Sequence, residues 1–250
     1  MPEMFAEALA LPGLWLLIFA AALAGLVRGF SGFGTAMIFL PFAAQVLPPA
    51  WAILVLIGMD SLGPIPVLPR AWRDSNRVQL SILLGCACLS LPLGVAALSV
   101  FAPETYRYIV STVSIVLIVC LLSGLRYTGV LSKKALAGTG VAAGMCGGVA
   151  GVPGPPVILL YMSSQTPVAQ VRGNMMLFLF IFEFLLLGVF AVFGQFALMP
   201  LVIGVVLAIP NGLGNLAGQW VFDPARANLY RGVAYVIVAA SAILGLPIWD

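Results

Sequence analysis

From Val78 to Phe101 the chain runs for 24 residues without a charged side chain, and runs of this kind recur along its whole length. As a helix rising 1.5 Å per residue, such a stretch covers the roughly 30 Å of hydrocarbon in a bilayer. Uncharged runs fall at Ala8–Val27, Thr35–Leu47, Val78–Phe101, Tyr108–Leu125, Ala135–Val149, Pro155–Met162, Phe196–Leu216 and Gly232–Ile248. Two more carry one acid each: Ala50–Leu68 with Asp60, and Gly173–Phe193 with Glu183. The segments 35–47 and 155–162 are too short to be ordinary spans.

Only 8% of the residues are charged, against roughly 25% in a soluble domain, so no soluble surface can be built from this supply. The 250 residues allow about eight to ten crossings and no separate soluble domain. The expected fold is therefore an all-α polytopic membrane protein, a single domain over residues 1–250. A net charge of +3, small and scattered, excludes a nucleic-acid partner. There is no histidine, and Cys86, Cys88, Cys120 and Cys146 all lie in apolar runs. That excludes a Cys/His metal spacing, so no metal or cofactor is expected. Near the start stand Glu3 and Glu7 rather than a basic segment and a small-residue cleavage site, so the first run reads as a retained span.

Short loops rich in Lys and Arg stay cytoplasmic. With the Arg70, Arg73, Arg77 loop inside, two crossings place Arg126, Lys133 and Lys134 inside as well. If segments 135–149 and 155–162 together return to their starting side, Arg172, Arg226 and Arg231 follow. Nine of the eleven basic residues are then cytoplasmic. Both termini are expected outside, in what reads as a bacterial inner membrane.

Internal similarity supports a two-part design. Gly25-Leu-Val-Arg-Gly29-Phe-Ser-Gly32-Phe33 lies over Gly144-Met-Cys-Gly-Gly148-Val-Ala-Gly151-Val152 without a gap, at an offset of 148 − 29 = 119. Each half, residues 8–125 and residues 135–248, then holds five segments. An odd number means that the second copy enters from the opposite side. Inverted repeats of this kind build binding sites near the midplane, where broken helices meet.

Both glycine-rich stretches interrupt apolar sequence and precede a short segment. Glycine accepts backbone angles that expose N–H groups, and proline suits a first helical turn. Each stretch reads as an unwound link feeding a helix start, tolerated in hydrocarbon only if buried or lining a polar cavity. Helix N-termini carry about half a positive charge each and unpaired N–H groups, so the ligand that fits is a small anion. Arg28 would add a full charge, and its planar fork can hold a sulfonate, sulfite or carboxylate. The candidate substrate site is Arg28, Gly29, Ser31, Gly32, Gly34 and Thr35 with Gly148, Gly151, Pro153 and Gly154. Two plainer readings stand beside it: Arg28 as an arginine at a helix end reaching the headgroups, and the glycines as close helix packing.

Asp60 and Glu183 lie near the middle of their runs, where a charge costs about 2.5 to 3.5 kcal/mol on insertion scales. Either can serve as a proton-coupling group or contribute to a sodium site; otherwise each is a neutral acid bonded to a neighbouring helix or an ion-pair partner of Arg28. Gln165, Arg172 and Asn174 are candidates for a cytoplasmic path, or simply a solvated loop and helix cap. Asn211 and Asn215 can hydrogen-bond between helices.

With these motifs in place, the chain resembles the sulfite exporter TauE/SafE family. The likeness rests on Arg28-Gly-Phe-Ser-Gly-Phe-Gly with Pro41 after it and on Gly147-Gly148 through Pro156, and it extends to the length and the two halves. The resemblance implies a secondary transporter for sulfite, sulfoacetate or another organosulfonate. Where family members often have one proline after the second motif, Pro153, Pro155 and Pro156 crowd it here. The expected mechanism is alternating access coupled to a proton or sodium gradient, and the alternative is an anion channel built on the same half-helices. An intramembrane enzyme lacks a nucleophile with a base, and a primary pump lacks a phosphate-binding loop.

Overall fold

A computed structural model describes residues 11–123, 131–161, 166–223 and 226–248, and every regular element among them is helical. In chain order these are α1 (Leu14–Ser31), α2 (Thr35–Ala43), α3 (Pro49–Asp60), a 3-10 turn (Ile65–Val67), α4 (Leu68–Asp74), α5 (Arg77–Val100) and α6 (Pro103–Leu122). They continue with α7 (Lys133–Ala150), α8 (Gly154–Tyr161), α9 (Val168–Val192), α10 (Leu198–Val221) and α11 (Ala227–Leu244). Five of the helices are long and apolar enough to cross a membrane, six if the broken pair after Pro49 counts as one span. The expected all-helical polytopic fold is thus present.

The two short segments are half-length helices. α2 has 9 residues and α8 has 8, so each rises only about 12 to 14 Å. Glycines with φ near +80° and +102°, Gly32 and Gly34, separate α1 from α2. Such angles strain any residue with a Cβ. On the other side Gly151 at φ +72° ends α7, and Pro155 and Pro156 occupy the first turn of α8.

The run from Ala50 to Leu68 is not one continuous helix: α3 stops at Asp60, and the chain passes through a 3-10 turn into α4, with a bend of 52°. Gly63, Pro64, Pro66 and Pro69 follow within nine residues, and each proline removes a donor that a continuous helix would need. Asp60 is therefore the last residue of a helix rather than its midpoint.

The chain forms two compact units. Unit 1 comprises Met1–Leu62, Phe101–Ile118 and Ala197–Asp250; unit 2 comprises Gly63–Val100 and Val119–Phe196. Each unit thus draws on both halves of the sequence.

In unit 1, α1 packs on α2 and α10, α3 packs on α10, and α11 lies on α2. Glycine allows the backbones to meet: a Cβ on Gly25 would strike the Asn211 carbonyl, and one on Gly218 the Leu26 carbonyl. Asn211 Nδ2 crosses to the Ala21 carbonyl at 3.1 Å, the interhelical bond expected of it. At the far end, the buried Arg107 donates from Nε to the Gly245 carbonyl (3.1 Å) and from Nη2 to the Leu246 carbonyl (3.4 Å). This satisfies carbonyls left open where α11 ends.

In unit 2, α5 packs on α7 and α9, α4 on α9, and α8 on α7 and α9. Gly148 and Gly94 place their Cα atoms so close that a Cβ on either would come within 2.9 Å of the other. Ser90 Oγ donates to the Val141 carbonyl at 2.9 Å.

Helix boundaries recur at fixed intervals. α1 and α7 begin at 14 and 133 and end at 31 and 150; α2 and α8 begin at 35 and 154; α3 and α9 begin at 49 and 168. Every difference is 119. α6 and α11 begin at 103 and 227, a difference of 124. The helix contacts recur with them. Gly29 of α1 meets Asn215 and Gly218 of α10, and Gly148 of α7, 119 residues on, meets Leu91 and Gly94 of α5, each 124 residues earlier than its counterpart.

The tightness of the α1–α10 contact makes a prediction. A Cβ on Gly29 would come within 2.9 Å of Gly218 Cα as well as striking the Asn215 carbonyl, and neither backbone can retreat without parting the helices. Gly29→Leu should cost more than the usual 1–3 kcal/mol of overpacking. In fluorescence-detected size-exclusion chromatography the monodisperse peak should be lost, whereas Gly212→Ala, on α10 with open space around it, should retain it.

Candidate functional site

In unit 1, α1 ends at a left-handed Gly32, whose N–H donates to the Arg28 carbonyl at 2.8 Å. Ser31 fastens the same turn. Its hydroxyl donates toward the Val27 carbonyl (2.7 Å) and the Phe33 carbonyl (3.0 Å) and accepts from the Phe33 N–H (3.3 Å). The hydroxyl that the motif offered to an anion is thus committed to the backbone. Past Phe33 and Gly34, α2 starts at Thr35. Its first intrahelical bond runs from the Ile38 N–H to the Gly34 carbonyl at 3.0 Å, so the N–H groups of Thr35, Ala36 and Met37 have no acceptor within the helix.

Arg28, on the last turn of α1, reaches across this break. Its Nη1 donates to Asp60 Oδ1 at 2.7 Å and lies 3.5 Å from Thr35 Oγ1. The structure thus brings together an arginine, a carboxylate, a hydroxyl and a helix N-terminus, all in unit 1. The Arg28 and Asp60 side chains keep 30% and 17% of their exposure, so the pair is reachable and not sealed in the core. Of the readings open for Arg28, the ion pair is the one observed. A pair like this adds little net stability, because desolvating two charges offsets most of their attraction. Its partial exposure next to unpaired N–H groups fits a place where one anion, the carboxylate, can give way to another.

Other members of the expected site stand in different surroundings. Gly29 and Gly148 are close-packing positions between helices, as the plainer reading had it. Gly32 is exposed, with no atom within 4 Å of an added Cβ, whereas Gly34 is bordered by Val27, Ile38 and Val238. In unit 2, Gly151 donates to the Gly147 carbonyl at 2.9 Å, and the Val152 N–H to the Cys146 carbonyl at 3.3 Å. Pro153 leads into Gly154 at the start of α8, but Pro155 and Pro156 remove two of the N–H groups that a helix N-terminus offers. The α8 start is the weaker anion cradle.

The fixed offset exposes an asymmetry. Adding 119 to Arg28, Thr35 and Asp60 gives Gly147, Gly154 and Leu179. The Phe182 ring fills the space where Gly147 lacks a side chain, and Leu179 lies 3.6 Å from an added Cβ on Gly154. Unit 2 is apolar where unit 1 carries its charges.

Glu183 sits half-buried in the middle of α9 in unit 2. Of the residues proposed for a cytoplasmic path, Gln165 lies outside the described residues, Arg172 is exposed, and Asn174 is fully buried. Asn174 belongs to a cluster that sequence reasoning missed. Its Nδ2 donates to Tyr161 Oη (2.7 Å) and Gln79 Oε1 (3.0 Å), and its Oδ1 accepts from the Asn76 N–H (2.7 Å). Gln79 escaped notice because it stands in a run defined by lack of charge. Arg107 has a signal of its own, the Tyr-Arg pair at 106–107 repeated at 230–231, again 124 apart. Among the described residues no group of acids and cysteines could hold a metal ion.

Residues 17–244 match the family model described as Sulfite exporter TauE/SafE. No curated protein and no solved structure matches the chain.

Proposed function

Because the chain belongs to the sulfite exporter TauE/SafE family, we propose that it carries sulfite or an organosulfonate such as sulfoacetate, held in unit 1 between Arg28 and the start of α2. Membership implies export of a small anion by a multi-pass membrane protein. The observation that carries the finer reading is the 2.7 Å Arg28–Asp60 pair beside the unpaired N–H groups that open α2.

An incoming oxyanion has three groups to satisfy it: the guanidinium fork, the Thr35 hydroxyl and the N–H groups of Thr35 to Met37. It must first displace Asp60. Protonation of Asp60 removes the competing charge, which makes this residue the proton-coupling group; Glu183, or a sodium ion, is the fallback. The halves 8–125 and 135–248 are read as copies of opposite membrane orientation, moving by alternating access. The recurrence of helix starts at 119 and 124 and the odd number of segments per half support that reading. The excess of Lys and Arg in alternate loops supports an inner-membrane protein with both termini extracytoplasmic.

The deciding experiment is flux of sulfite through liposomes holding the purified chain, with and without a pH gradient. A carrier gives flux that saturates with sulfite and responds to the gradient. Flux that rises without limit and ignores the gradient belongs to a channel and would overturn the carrier reading.

A further inference from the structure

We infer that Gln79, Tyr161, Gln170 and Asn174 form a catch that fixes the half-helix α8 within unit 2 and has to open for turnover; the link to turnover rests on the transport reading above.

Asn174 is the hub. It is fully buried on the first turns of α9 and uses both of its N–H donors and one of the two lone pairs of its carbonyl oxygen. Its neighbour Gly173 holds it in place, since an added Cβ there would come within 2.7 Å of the Ala71 carbonyl on α4. Tyr161 is the last residue of α8. Its hydroxyl donates to Gln79 Oε1 at 3.1 Å while accepting from Asn174. Gln79 stands on the first turn of α5, where the Asn76 side chain caps its N–H at 3.1 Å. The far end of α8 is therefore tied to two helices and a cap through one phenol and two amides.

Two features make this a catch rather than a weld. Gln79 Oε1 receives three donors, from Tyr161, Asn174 and Gln170 (3.3 Å), but a carbonyl oxygen has two lone pairs. One bond is always weakly held, and a donor can leave without stranding the acceptor. The second feature is the contrast with unit 1. The offsets carry Tyr161 to Phe42 (161 − 119), Asn174 to Val55 (174 − 119) and Gln79 to Ile203 (79 + 124). All three are buried and apolar. Apolar contacts at that junction have nothing to exchange with water, whereas each bond of the polar cluster can pass to a water molecule at little enthalpic cost. At this junction α8, unlike α2, is held by bonds that can be exchanged.

The test uses the full chain reconstituted in liposomes, with Asn174→Ala to remove the hub and Tyr161→Phe to delete one hydroxyl without changing shape. Hydrogen exchange at Ile158 to Tyr161 reads the anchorage, exchange in Thr35–Ala43 of unit 1 serves as control, and sulfite flux gives KM and maximal rate. Asn174→Ala should speed exchange in α8 by at least about tenfold, equivalent to 1.4 kcal/mol, with α2 unchanged. The maximal rate should change severalfold while KM stays within about twofold, because the proposed anion ligands lie in unit 1. Tyr161→Phe should move both readouts the same way by less. Unchanged exchange in α8 for both variants would overturn the catch, as would faster exchange in α2 and α8 together, which reports loosening of the whole fold. Unaltered flux with a released α8 would overturn its role in turnover. If the wild-type chain moves no sulfite, the transport reading fails while the exchange result still decides the anchorage.

Discussion

Arg28→Ala should reduce sulfite flux by about 30-fold or more. Removing one partner of a hydrogen-bonded charge pair costs about 2–5 kcal/mol, a partly exposed pair such as this falling at the low end, and each 1.4 kcal/mol is tenfold. Here the loss falls on an anion that would otherwise share the guanidinium with Asp60, 2.7 Å away. Arg28→Lys keeps the charge but not the planar fork, and should retain a measurable fraction of the flux with a raised KM. The alanine variant also leaves Asp60 without its cation, so poor folding could mimic lost binding. The double variant Arg28→Ala, Asp60→Asn separates the two. It restores neutrality, so recovery of flux would mean that Arg28 served only to balance Asp60. Continued silence from a well-folded double variant is the expected result.

The membrane class could be read from the sequence because it depends on a bulk property: a chain with 8% charged residues has no other way to satisfy its surface. The breaks were legible too, since only glycine and proline punctuate a uniformly apolar text, and α2 and α8 start at residues 35 and 154, just past them. What stayed hidden were facts about partners. An ion pair with Arg28 is one of several readings open for Asp60, but nothing in the run Ala50 to Leu68 singles it out, although the prolines from Pro64 onward could have placed Asp60 at a helix end. Gly29 and Gly148 can be read as ligand positions or as close packing, because a glycine that admits a ligand and one that admits a neighbouring backbone are the same residue. Asn174 reads as part of a cytoplasmic path or as a helix cap because its three partners lie 13 to 98 residues away. Polar residues that satisfy one another across helices leave no local pattern.

Asp60→Asn should sever flux from the pH gradient. The carboxylate and the substrate compete for one guanidinium, so the anion-loaded form favours a protonated Asp60. Proton and anion then travel in the same direction, and acid on the side from which the anion departs should speed it. An alkyl sulfonate is the right probe, because its own charge does not change over the range tested. In the wild-type chain its KM should fall as the departing side is acidified. The asparagine variant has no charge to compete, so its KM should start about tenfold lower, the low end of what one close charge pair is worth, and should not move with pH. Release should become the slow step, lowering the maximal rate even as binding tightens, the pattern expected when a ground-state competitor is removed. A variant that keeps the full pH response would clear Asp60 of the role and leave Glu183, half-buried in α9, as the acid to change next. The mirror positions sharpen the expectation: Arg28 and Asp60 correspond to Gly147 and Leu179, so no second copy of the pair stands by to take over the coupling.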